Sequence, residues 1–305
     1  MPQNPAPLRL GSRGSRLALA QAKMVADALA ANGAACEIVE VRTTGDRILD
    51  RPLADSGGKG LFVKELEEAL LSGTIDLAVH SMKDVPVDLP VGLAIAALLP
   101  REDPRDVFVS NSANSLGALP TGARIGTSSV RRAAQVARAR PDLEIVLLRG
   151  NVDTRLAKLD SGAMEAMLLA LAGLKRLGLA HRATQMLDAF LPALGQGAIG
   201  IEIRDGDARA KSAVAPLDDP ATALALSCER GFQEALGGSC RSPMAGLARV
   251  IGGRLAFHGE VLAPDGGDFV ETGFEIEVSN PHDAARAGRD AGTALRPRAS
   301  KWLDL

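Results

Sequence analysis

The chain has 305 residues, a formal net charge of −2 and 46% hydrophobic residues, enough for two or three domains with ample core. The near-neutral balance excludes global steering of polyanions, and 3% aromatics with no tyrosine argue against a base-stacking nucleic-acid surface. Three cysteines without a C-x-x-C pair and four scattered histidines argue against both a disulfide framework and a metal site.

No apolar run reaches the ~18 residues of a membrane span. The opening "MPQNPAPLRL" lacks the basic-then-apolar plan of a secretory signal, so a cytoplasmic protein is expected.

Strand-like and helix-like segments alternate from the start. "LRLGSR" is short and apolar. "SRLALAQAKMVADALAANG" follows with helical spacing and ends at Gly33. "CEIVEVRTTG" reads as a strand, and "GLFVKELEEALLSG" as an amphipathic helix closed by Gly73. "DLAVHS" is a buried strand opening into Lys83, Asp84 and Pro86. The alternation predicts a parallel sheet with helices on both faces, where ligands are handled at the carboxyl ends of the strands.

After "LLPREDPRDVFVS" the rhythm restarts with strands "ARIGT", "LEIVLLRG" and "AMLLALAG", each followed by a helical pattern. Arg101–Asp106 and the glycine-rich Leu194–Gly200 read as two crossings between units that hinge about a cleft. From about Pro216 a helix, "ALALSCERGFQEAL", precedes antiparallel-looking "GLARVIGGRLAFHGEVLAP" and "GDFVETGFEIEVS". The expected fold is α/β with two doubly wound domains, 1–100 with 200–217 and 105–194, and a small α+β domain at 220–305. The "KWLDL" end is expected to shorten the last helix.

Between Thr121 and Arg155 lie seven arginines and only three acids. Thr127, Ser128 and Ser129 end a strand and cap a helix whose first turn holds Arg131 and Arg132. Cations there oppose the helix dipole unless an anion binds. "LRGN" repeats the plan with Arg149 and Asn151, and Arg13 and Ser15 stand in "GSRGSRLALAQ". Arginine rather than lysine favours forked carboxylate or phosphate recognition, against the plainer reading of a solvated basic face.

"SGGKGLFVKE" fails the phosphate-loop pattern because Lys59 is followed by Gly60. A glycine turn or a mobile lid over 44–60 remains. Cys36 and Cys228 read as packing residues. Cys240, in the tight turn "GGSCRSP" beside Arg241, reads as an exposed thiol suited to nucleophilic or covalent work. Asp84 is either an exposed loop acid beside Lys83 or a carboxylate held ionised among arginines, suited to a developing cation.

Many of these stretches, in order, resemble one family. "SRGSRLALAQ", "GDRILDRPLADSGGKGLFVKELEEAL", "AVHSMKDVP", "REDPRDVFVS", "GTSSVRRAAQ", "LRGNVDTRL", "LAGLKRLGL", "LGQGAIGIE" and "ERGFQEALGGSC" are similar to the porphobilinogen deaminase (hydroxymethylbilane synthase) family over nearly the whole chain. The resemblance implies two domains like periplasmic binding proteins and a third carrying a cofactor. It implies head-to-tail condensation of four porphobilinogen molecules with loss of ammonia, on a dipyrromethane joined by a thioether to Cys240. Asp84 matches the catalytic aspartate. Arg13, Arg131, Arg132, Arg149, Arg155 and Arg176 match carboxylate-binding arginines; Ser15, Lys83, Thr127, Ser128, Ser129 and Asn151 match polar groups lining the same cleft. Lys59 matches the end of the family's mobile loop, and a monomer is implied. Ser242 departs from the aliphatic residue or threonine usual two places after the cysteine.

Two other classes fit parts of the pattern. A non-catalytic anion binder of periplasmic-binding-like fold accounts for the arginines but needs neither Asp84 nor Cys240. A cysteine hydrolase needs a histidine partner, and His80, His181, His258 and His282 sit in unrelated contexts.

Overall fold

The computed structural model describes residues 6–43, 63–237 and 242–303. In chain order it contains β1 Leu8–Arg13, α1 Arg16–Ala31, β2 Cys36–Val41, α2 Lys64–Leu71, β3 Leu77–Ser81, β4 Leu93–Leu98 and β5 Asp106–Ser110. Then come β6 Arg124–Thr127, α3 Val130–Ala139, β7 Glu144–Leu147, α4 Val152–Asp160, β8 Ala166–Ala170, α5 Leu171–Arg176 and β9 Gln185–Met186. The chain finishes with β10 Ile199–Arg204, α6 Ala208–Val214, α7 Pro220–Leu236, β11 Met244–Ile251, β12 Arg254–Leu262, β13 Phe269–Glu277 and α8 Pro281–Leu303. The last helix reaches the end of the described residues.

The described residues divide into two compact units, one of 6–43, 63–101 and 198–220, the other of 102–197 and 221–303. In the first, the sheet order is β2-β1-β3-β10-β4, with β1 parallel to β2 and β3 but β10 antiparallel to β3 and β4. Both faces of this sheet are covered. Leu77 and Val79 of β3 pack with Ala22, Val25 and Leu29 of α1, whereas Ala78 packs with Leu66 and Leu70 of α2. That alternation is the period-2 geometry of a strand buried on both sides.

The second unit repeats the plan, with order β7-β6-β8-β5-β9, β6 parallel to β7 and β8, and β5 antiparallel to β8 and β9. Val136 of α3 packs on one face with Phe108 and Ile125, and Leu156 and Leu159 of α4 pack on the other with Val107 and Met167. In each sheet the antiparallel strand is the one that the chain enters after a crossing, β10 and β5. Alternating helix and strand patterns reveal βα repeats but not a strand that returns from elsewhere in the chain. The expected purely parallel sheets are therefore mixed, and β10 begins inside the stretch read as a crossing.

The same unit carries the antiparallel sheet β11-β12-β13. Its core joins Phe232 of α7, Trp302 of α8 and Phe257 of β12. Here α7 and α8 touch backbone to backbone, since a Cβ on Gly288 would collide with the Cys228 carbonyl oxygen. Ser242, the departure from the family pattern, is buried and its Oγ donates to the Leu303 carbonyl at 3.0 Å, closing the end of α8. The architecture is thus the expected one: two doubly wound α/β sheets and a small α+β element.

At the amino ends of the parallel strands in the first unit, Asp76 Oδ1 accepts from Arg9 at 2.7 Å and Arg204 at 3.1 Å. The Arg9 hydrogen bonds, outweighing burial, hold the Asp76 carboxyl well below its usual value of 3.8. A depressed folded-state value means that the stability gained is complete above the usual value and drains as pH falls below it. The melting temperature is expected to be flat near neutrality and to drop below about pH 4. Arg9→Gln should lower it near neutrality and matter far less in acid.

Candidate active site

At the carboxyl end of β3 the chain makes one 3-10 turn, Met82–Asp84. The Met82 N–H donates to the Ala198 carbonyl at 3.1 Å, and Ser81 Oγ accepts from Gln21 Nε2 of α1 at 2.9 Å. These bonds fix the turn against two elements of its own unit. Asp84 is half-buried and Lys83 exposed. Asp84 shares a narrow hollow with Arg13, Gln21, Val63, His80 and Ser81. Arg13 ends β1, parallel to β3, so both side chains emerge at the same edge of the sheet. Ser15 is the N-cap of α1, its Oγ accepting from the Ala18 N–H at 3.3 Å.

The second unit gathers the other candidates at the carboxyl ends of β6, β7 and β8. Buried Thr127 accepts through Oγ1 from the Ser129 N–H at 3.1 Å. Half-buried Ser128 separates them, and Ser129 caps α3 by accepting from the Arg132 N–H. After β7, Gly150 takes a φ of +114°, a conformation open to glycine. Asn151 then caps α4, its side chain accepting from the Thr154 N–H and hydroxyl, each at 2.9 Å. Arg155 Nε donates to the Gly150 carbonyl at 2.8 Å. Arg176 ends α5, and its Nη2 donates to the Gly197 carbonyl at 2.6 Å.

Arg131 and Arg132 are buried, not solvent-facing, and share a counterion that sequence reasoning missed. Asp106, fully buried at the head of β5, lies 2.7 Å from each guanidinium. Burial pushes its carboxyl upward, but the two arginine charges outweigh that and hold it well below the usual range. Gln196 donates to the same carboxylate at 2.8 Å. Arg131 reaches on to Gln135, which donates to Glu260 of β12, and Glu260 also accepts from Arg138. The one sequence signal was an acid opening an apolar strand, "DVFVS".

Three guanidiniums against two carboxylates leave this cluster with surplus positive charge. The Nε atoms of Arg131, Arg132 and Arg176 are buried and make no hydrogen bond among the described residues. Burial depresses the pKa of Arg131, Arg149 and Arg176, and Arg149 makes no ion pair among the described residues. Guanidinium N–H groups left without a protein acceptor beside two helix starts are the donors that a carboxylate-bearing group uses. Cys240, Lys59 and the 44–60 segment lie outside the described residues. Among the described residues no group of side chains could hold a metal ion, and no helix is long and apolar enough to cross a membrane.

Two family models match the chain one after the other. Residues 8–212 match the family model "Porphobilinogen deaminase, dipyromethane cofactor binding domain", and 223–296 match "Porphobilinogen deaminase, C-terminal domain". The porphobilinogen deaminase of Nitrobacter winogradskyi is 55% identical over 298 residues, covering 96% of this chain and 93% of that protein. That of Syntrophobacter fumaroxidans is 50% identical over 292 residues, covering 94% of each. A solved periplasmic substrate-binding protein from Coxiella burnetii aligns with a TM-score of 0.44 at 17% identity, over 70% of this chain and 93% of that one.

Proposed function

The chain belongs to the porphobilinogen deaminase family, and from that premise we propose how its residues divide the work. The enzyme is a transferase that condenses four porphobilinogen molecules head to tail, losing ammonia at each addition, and releases hydroxymethylbilane for tetrapyrrole biosynthesis. Its cofactor is dipyrromethane, which when bound supplies the covalent pyrrole end from which the chain grows. Cys240 is the attachment point.

The observation that carries the reading is the set of buried guanidinium donors left without a protein acceptor on Arg131, Arg132 and Arg176. Each pyrrole brings two carboxylates, so these donors, with Arg149 and Arg155, hold the acetate and propionate groups of the cofactor and growing chain. Thr127, Ser128, Ser129 and Asn151 supply polar groups in the second unit and Lys83 one in the first, and by the family pattern Lys59 belongs to the active-site loop. Arg13, with Ser15 at the start of α1, orients the incoming substrate. Asp84 faces the aminomethyl carbon: as ammonia leaves, positive charge develops on the substrate, and a fixed carboxylate lowers that barrier. Holding the acceptor covalently turns each addition into an effectively intramolecular step. We further propose a cytoplasmic monomer with three domains, 1–100 with 200–217, 105–194 and 220–305, with no nucleic-acid or membrane partner.

The denatured intact mass tests the attachment. The wild-type protein is expected to exceed its chain mass by two linked pyrrole units, and Cys240→Ser to match the bare chain. A wild-type protein that stays bare after incubation with porphobilinogen would instead be a carboxylate-binding protein.

A further inference from the structure

His80, four residues before Asp84, is 4% exposed. Its Nε2 lies 2.8 Å from Oε2 of Glu202 on β10, with the two side chains 3% and 1% exposed. Strand register explains the pairing. Gly200 stands opposite His80 and Glu202 opposite Ala78, so both side chains leave the sheet on the face that α2 covers. The other Glu202 oxygen, Oε1, is buried with no hydrogen-bond partner. Glu67 of α2 joins them: burial first, and the Glu202 charge second, hold its carboxyl above the usual value. On the same side, Glu68 adds a smaller like charge. On the open side, the hollow that His80 lines carries Arg13 and Asp84, with Gln21 bonded to Ser81.

The Glu202 carboxyl and the His80 imidazole, sealed from water together, cannot both be left without compensation. An unneutralised Glu202 behind the Asp84 turn would act as a like charge and favour protonation of Asp84. An imidazolium bonded to Glu202 cancels that charge. We propose that His80 and Glu202 are positioning residues for the deaminase reaction, a buried neutral pair that anchors the end of β3 and keeps Asp84 ionised through successive cycles. The proposal rests on the reading of Asp84 as the reacting carboxylate.

The test uses the cofactor-loaded enzyme. His80→Gln is expected to lower kcat about tenfold with KM little changed, and to move the acid limb of the kcat profile to higher pH by half a unit or more. The double variant His80→Gln with Glu202→Gln removes the stranded charge and should return the limb to its wild-type position. A merely structural pair predicts the reverse: a wild-type profile in the single variant and further damage in the double. Should His80→Gln fail to fold, the 15N spectrum of the wild-type enzyme, with four histidines to assign, decides the matter. An imidazolium at His80 at neutral pH upholds the proposal, and a neutral ring overturns it. Asp84→Glu separates the two readings: normal turnover there removes the role of Asp84 and this proposal with it. A slow Asp84→Glu beside a wild-type profile for His80→Gln removes this proposal alone.

Discussion

Asp84→Glu is expected to give a folded, cofactor-loaded protein whose kcat falls by at least about a hundredfold. The substitution keeps the charge and moves it by one methylene. Its turn is held by the Ala198 carbonyl and by Gln21 through Ser81, so the backbone does not yield to correct the error. Fixed charges act on a transition state through their placement, and a displacement of about 1 Å is enough to forfeit roughly two orders of magnitude. Single-turnover rates with the intact mass of the same sample check this. Near-normal turnover with full loading would remove Asp84 from the chemistry.

The second large effect is on stability. Asp106→Asn keeps the shape of the side chain and removes the one carboxylate between two buried guanidiniums. Breaking such a pair from one side typically costs about 3–5 kcal/mol, because the stranded charge stays buried. For a unit of this size that corresponds to a fall of about 10 °C in melting temperature. Cofactor loading should fall as well, since Arg131 and Arg132 lose the group that orients them. A melting point within a degree or two of wild type would show that the cluster is solvated rather than sealed.

Much of the fold was legible because its signals are local. Apolar runs, N-cap residues at Ser15, Ser129 and Asn151, and glycine stops mark βα units without knowledge of the partner strand. The arginine surplus between Thr121 and Arg155 was legible for the same reason. Reading Arg131 and Arg132 as first-turn cations was right about position and silent about surroundings. Their counterion stands on another strand, and only the antiparallel entry of β5 brings it beneath α3. His80 and Glu202, 122 residues apart, were equally invisible, because a pairing across a returning strand leaves no periodicity. The proposed roles of Cys240 and Lys59 rest on the family pattern, since both lie outside the described residues.

The helix caps of the second unit carry one more consequence. Ser129 and Asn151 already accept from the first turns of α3 and α4, so the proposed carboxylate-binding turns are ordered before any ligand arrives. Fixing a residue's backbone costs roughly 1–2 kcal/mol of conformational entropy. An enzyme whose ligand lengthens at every cycle would meet that penalty repeatedly if each added ring had to organise its own stretch of wall. With the penalty settled once, during folding, successive additions meet similar binding free energies, and the affinity for the third ring need not differ from that for the sixth.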